Sequence, residues 1–89
     1  MSGILRWEGN ELANKQDLQE WITAALKALG GEAHLTRIAQ HILENHEAEL
    51  RRSGDLFFTW QYDMRWQAQR LKDAGKLEKL SRSWRLTDG

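Results

Sequence analysis

Residues 60–89 read WQYDMRWQAQRLKDAGKLEKLSRSWRLTDG, and the spacing of their apolar positions changes once. With Trp60 facing inward, Met64, Gln67 or Ala68, Leu71 and Ala74 fall below it on one side of a helix. Tyr62, Arg65, Trp66, Gln69, Lys72 and Asp73 fall on the other side. Gly75 ends that pattern, and Leu77, Leu80, Trp84 and Leu86 then supply apolar side chains to two short strands. Between the strands, Ser81-Arg82-Ser83 makes a small polar turn with one positive charge. The pattern predicts a helix over 59–74, capped by Thr59, that feeds a hairpin over 77–86.

Working back from this segment, Phe57 and Phe58 are expected to anchor the preceding loop in the core. Ser53-Gly54 breaks a second helix that Thr36 would cap, with Ile38, Ala39, Ile42 and Leu43 inward. That helix can continue from Glu47 to Arg52, because no breaker intervenes. Ala33, His34 and Leu35 suffice for a very short strand. A first helix, capped by Asn14 with Asp17 three residues on, carries Leu18, Trp21, Ile22, Ala25, Leu26 and Leu29 on one face and stops at Gly30-Gly31. Residues 1–13, with Ile4, Leu5, Trp7 and Leu12, are too apolar for a free tail. They are expected to form an arm that packs on the domain of residues 14–89 or on a second copy.

Length and composition narrow the function classes. Eighty-nine residues make one compact domain, and 40% apolar with 29% charged residues is globular composition. No apolar run approaches the ~20 residues of a membrane span. Arg6 and Glu8 interrupt the start where a signal peptide needs an apolar stretch. Cysteine is absent, which removes disulfides, thiolate catalysis and thiolate zinc sites, and a cytoplasmic setting is the economical reading. The net charge of zero conceals a split. Residues 1–50 hold four basic against eight acidic side chains, a balance of −4, and residues 51–89 hold nine against five, a balance of +4.

The order helix, strand, helix, helix, strand, turn, strand is that of a winged helix-turn-helix: an α+β fold of three helices plus a small antiparallel hairpin wing. The wording also resembles the N-terminal winged-helix domain of Mrr-type restriction endonucleases and related bacterial proteins. The similarity lies in Ala28-Leu29-Gly30-Gly31, Arg65-Trp66, Leu71-Lys72-Asp73-Ala74-Gly75 and Trp84-Arg85-Leu86-Thr87-Asp88-Gly89, which together span most of residues 18–89. Gln67, Lys76 and Ser83 depart from the family's usual residues. These 89 residues hold no nuclease domain, so the resemblance implies for them double-stranded DNA binding without cleavage, as a regulator or the targeting part of a larger system.

A winged helix sets its third helix in the major groove and its wing on the neighbouring backbone. Base contacts are then expected from Gln61, Tyr62, Arg65 and Gln69, since arginine pairs with guanine and glutamine with adenine through two hydrogen bonds each. Phosphate contacts are expected from Lys72, Lys79, Arg82 and Arg85. Trp21, Trp60 and Trp84 fall on inward positions. Tyr62 and Trp66 fall outward, where they would be covered by the arm, stack on or cradle a base or a methyl group as a reader of modified DNA requires, or form a homodimer contact. The competing function is a winged-helix adaptor for protein–protein interaction or dimerisation, which neutral net charge and an aromatic outer face would suit.

Catalysis finds no support. His41 and His46 are five residues apart, not the three or four that place ligands on one helix face, and His34 shares no metal spacing with them. There is no glycine-rich phosphate loop, the serines lie far in sequence from any histidine, and Glu47 and Glu49 read as solvated. No metal and no cofactor is implied.

Overall fold

A computed structural model describes residues 14–87; the arm expected over 1–13 lies outside them. Three helices and three strands follow in the order α1 (Asp17–Ala28), β1 (Glu32–His34), α2 (Leu35–Arg51), α3 (Leu56–Asp73), β2 (Leu77–Lys79) and β3 (Ser83–Leu86). The strands form one antiparallel sheet in the order β1-β3-β2. The class is α+β, in an arrangement compatible with a winged helix.

Local chemistry sets the ends of these elements. Asn14 Oδ1 accepts hydrogen bonds from the backbone N–H groups of Gln16 and Asp17 at 2.9 and 3.1 Å. The Asp17 carboxylate accepts from Asn14 N–H at 3.0 Å. This reciprocal pair closes the turn that leads into α1, so Asn14 acts two residues ahead of the N-cap position, Gln16, which makes no side-chain cap of its own. At the end of α3, Gly75 takes φ +78°. That left-handed turn lets Lys76 N–H reach back to the Leu71 carbonyl at 2.9 Å, while Gly75 N–H bonds to Lys72 at 2.9 Å. The chain then leaves α3 directly into β2.

Two caps differ from expectation. Thr36 does not cap α2; His34 does, its Nδ1 accepting from Thr36 N–H at 3.1 Å, because the helix begins one residue after the strand, at Leu35. Thr59 does not cap α3, which begins three residues earlier at Leu56. Thr59 Oγ1 instead donates to the Asp63 carboxylate at 2.8 Å, one turn along the same helix. Extending α3 backwards also displaces Phe58. It is 82% exposed and does not anchor a loop, whereas Phe57 is half-buried and packs on the core.

The core lies where α1, α2 and α3 meet the inner face of the sheet. Leu18, Ile22 and Leu26 from α1 and Ile38, Ile42 and Leu50 from α2 are fully buried. Trp60, Met64, Ala68 and Leu71 of α3 close the core from the third side, with Leu77 and Trp84 beneath them. Trp60 and Trp84 are thus inward, as expected. Trp21 is half-buried and lies flat on His46, ring centroids 3.9 Å apart and planes 7° from parallel. His46 has non-helical angles (φ −134°, ψ 15°) that bend α2 there, and its Nδ1 lies 2.8 Å from Glu49 Oε1. The bend carries α2 on to Arg51 and brings Leu50 into the core.

Candidate nucleic-acid interface

The stripe of α3 that faces away from the core determines what the molecule presents. Buried positions on this helix include Trp60, Asp63, Met64, Gln67, Ala68 and Leu71. Two of them are polar and both are matched. Asp63 accepts from Thr59 and lies 3.9 Å from Lys15 Nζ, and Gln67 Oε1 accepts from Gln19 Nε2 at 2.7 Å. Between these positions, Phe58, Gln61, Tyr62, Arg65 and Trp66 remain exposed. Tyr62 and Trp66 touch edge to face at 6.1 Å and 68°.

Tyr62, Arg65, Trp66 and Gln69 share one shallow cleft of about 310 Å³ with Lys79 of the hairpin. Three of the four residues expected to contact bases and one expected to contact phosphate are therefore together. Lys79 Nζ donates to Gln69 Oε1 at 3.1 Å and lies 5.9 Å from the centre of the Trp84 ring. Gln69 Nε2 in turn donates to Asp73 Oδ1 at 3.1 Å. Both ends of the Gln69 amide are occupied within the protein, so this side chain links hairpin to helix. Desolvation, with Lys72 and then Arg65 close by, lowers the Lys79 pKa; Asp73 acts in the opposite direction. A local excess of positive charge surrounds the cleft, with Asp73 at its border.

The register of the sheet sorts the remaining charges. Lys79 pairs with Trp84, and Glu78 pairs with Arg85, which also faces Glu32 across β1. Alternation along a strand puts Lys79 on the same side as Trp84, and Glu78, Arg85 and Glu32 on the opposite side. There Arg85 Nε donates to Glu78 at 3.1 Å, Arg85 Nη2 also pairs with Glu78, and Nη1 lies 3.7 Å from Glu32. The Glu78 hydrogen bond and charge, with a smaller contribution from Glu32, raise the Arg85 pKa. Arg85 is thus committed to two carboxylates. Arg82 is exposed in the hairpin loop, and its carbonyl accepts from Leu35 N–H at 3.0 Å, which fixes the tip against the start of α2. Lys72 and Gln61 are exposed on α3 outside the cleft lining.

Phe58 was missed as a member of this face. The signal was the i, i+4, i+8 spacing of Phe58, Tyr62 and Trp66, hidden by placing the helix start at Thr59. A larger hollow of about 470 Å³ between α1 and α3 is lined by Asn14, Lys15, Gln16, Gln19, Gln67 and Arg70, where the Gln19–Gln67 bond spans the two helices. Among the described residues, no group of three or more histidine, aspartate or glutamate side chains is arranged to hold a metal, and no helix is long and apolar enough to cross a membrane. Comparisons with models of protein families, with curated proteins and with solved structures find no match for this chain.

Proposed function

We propose that this chain is a winged-helix module that binds double-stranded DNA without catalysing a reaction, α3 entering the major groove and the β2–β3 hairpin meeting the phosphate backbone. The observation that carries this reading is the cleft in which Arg65 and Lys79 converge from helix and hairpin with no carboxylate among its lining residues. Asp63 is buried on the inner side of α3, and Glu78 is turned to the far side of the sheet, so neither neutralises that surface, whereas Asp73 at its border, bonded to Gln69, offsets part of the charge on Lys79. Arg65 and Gln61 are the hydrogen-bonding base readers in this assignment. Lys72, Lys79 and Arg82 hold phosphates. Fluorescence anisotropy of a labelled duplex pool, titrated at low and moderate salt, tests it: binding that weakens with salt supports the assignment, and no binding at low salt refutes it.

A second reading rests on its own observation. Phe58, Tyr62 and Trp66 are 82%, 64% and 56% exposed along one side of α3, a stripe that would suit a protein partner or a second copy. This adaptor reading requires tight, salt-tolerant association through α3. Sedimentation of the protein across a concentration series at low and moderate salt tests the second-copy form of this reading.

A further inference from the structure

Arg65 shares one cleft on the exposed side of α3 with two aromatic side chains. Tyr62 lies three residues before it and Trp66 immediately after, their rings in edge-to-face contact 6.1 Å apart. Tyr62 and Trp66 are 64% and 56% exposed, so carrying α3 into a groove sets aromatic surface against the groove floor. That floor is almost entirely polar. An aromatic face pressed on base donors and acceptors strips their water and returns no hydrogen bond, which is unfavourable. The apolar group that the major groove offers is the 5-methyl of thymine.

Two further features agree. The adenine-reading role available to a glutamine is not open to Gln69, whose amide is held by Lys79 and Asp73. Reading of A·T pairs at this level of the helix then falls to its neighbours in the cleft, Tyr62 and Trp66. The cleft brings the Arg65 and Lys79 cations together beside the aromatic pair, and their mutual repulsion, with that of Lys72, adds to the desolvation that chiefly lowers the Lys79 pKa. A polyanion relieves that repulsion, and a second copy presenting the same face would add to it. We infer that Tyr62 and Trp66 recognise thymine through its 5-methyl group, beside the base pair that Arg65 contacts. From Tyr62 to Arg65 the helix advances about 4.5 Å, and from Arg65 to Trp66 about 1.5 Å, neither more than roughly one base step, so the thymine and the arginine-read pair are adjacent. The inference rests on the duplex-binding reading above.

The test uses a duplex pool enriched by successive rounds of binding to the wild-type protein and then copied with either thymidine or deoxyuridine, which differ only in that methyl. The full chain should bind the deoxyuridine form about fourfold more weakly for each methyl it covers. Trp66→Ala or Tyr62→Ala should shrink that ratio towards one, whereas Arg82→Ala should weaken both forms and keep it. Circular dichroism melts of each variant confirm that these exposed positions leave the fold intact. Equal binding of both forms by the wild type overturns the inference. So does a ratio that survives in both aromatic variants, which would trace it to DNA shape. Aromatic variants that convert a dimer to a monomer and leave the ratio unchanged also overturn it, assigning the rings to contact between copies. Failure to enrich any duplex defeats the DNA reading itself, and this inference with it.

Discussion

Lys79 reaches from the hairpin to the third helix and donates a hydrogen bond to Gln69 Oε1 at 3.1 Å. The bond spans ten residues of sequence and joins the two parts that are proposed to touch DNA. Gln69→Ala removes the acceptor and frees both Lys79 and Asp73. An expected loss of about 1 kcal/mol in urea unfolding reflects the part-buried bond to Lys79, the exposed one to Asp73 adding little. Duplex binding should weaken without a change of preferred sequence, because the link orients and does not read.

The depressed Lys79 pKa makes a pH prediction whose sign can be worked out. Desolvation and the neighbouring cations disfavour the charged form in the fold, so the unfolded chain binds this proton more readily. The resulting destabilisation is fully present below the folded pKa and is relieved as pH rises through it towards the ordinary lysine value of 10.5. Lys79→Met should abolish this contribution. Urea midpoints of the two proteins between neutral pH and pH ~10 should therefore converge or cross in favour of wild type as pH rises; a gap independent of pH contradicts the argument.

Arg82 and Arg85 are close in sequence and carry opposite expectations. Arg82 is exposed in the hairpin loop, whereas Arg85 is paired with Glu78 and Glu32. Arg82→Ala should weaken binding to all duplexes and reduce the slope of log affinity against log salt by about one. Arg85→Ala should leave that slope nearly unchanged. Arg65→Ala should instead relax sequence preference, which selection from a randomised duplex pool would reveal as a loss of information at one base pair.

Thr59 and Gly75 test the frame that holds α3. Thr59→Val keeps the shape and deletes the donor to Asp63, a carboxylate only 5% exposed. A loss of about 1–3 kcal/mol in denaturant unfolding is expected, the magnitude of an under-satisfied buried acceptor. Gly75→Ala places a Cβ where nothing lies within 4 Å, so its effect comes from the +78° φ alone, about 1–2 kcal/mol.

The helix-to-hairpin change in residues 60–89 was legible because α3 and the strands have different periods, and each buries one face. Gly30-Gly31 and Gly75 marked two helix ends for the reason the dihedrals give. The start of α3 was not legible. Thr59 has the chemistry of a cap, yet its hydroxyl finds Asp63, and the helix starts at Leu56 with no side-chain cap at all. The His46 bend was equally hidden, since no breaker marks it in the sequence and the ring stacked there, Trp21, lies twenty-five residues away. Within the candidate site, Arg65, Tyr62 and Gln69 followed from helical spacing. The engagement of Gln69 by Lys79, and of Arg85 by Glu32, depends on tertiary register and could not be read from spacing.

The central claim is that α3 and the hairpin form one DNA-facing surface. Backbone amide shifts of the isotope-labelled protein, followed by NMR as an enriched duplex is added at low salt, address it residue by residue. The account expects the largest changes at Gln61, Tyr62, Arg65, Trp66, Lys79 and Arg82, with little change at Glu32, Glu78 and Arg85 across the sheet. Changes centred on that acidic face, or none at saturating duplex, would contradict it.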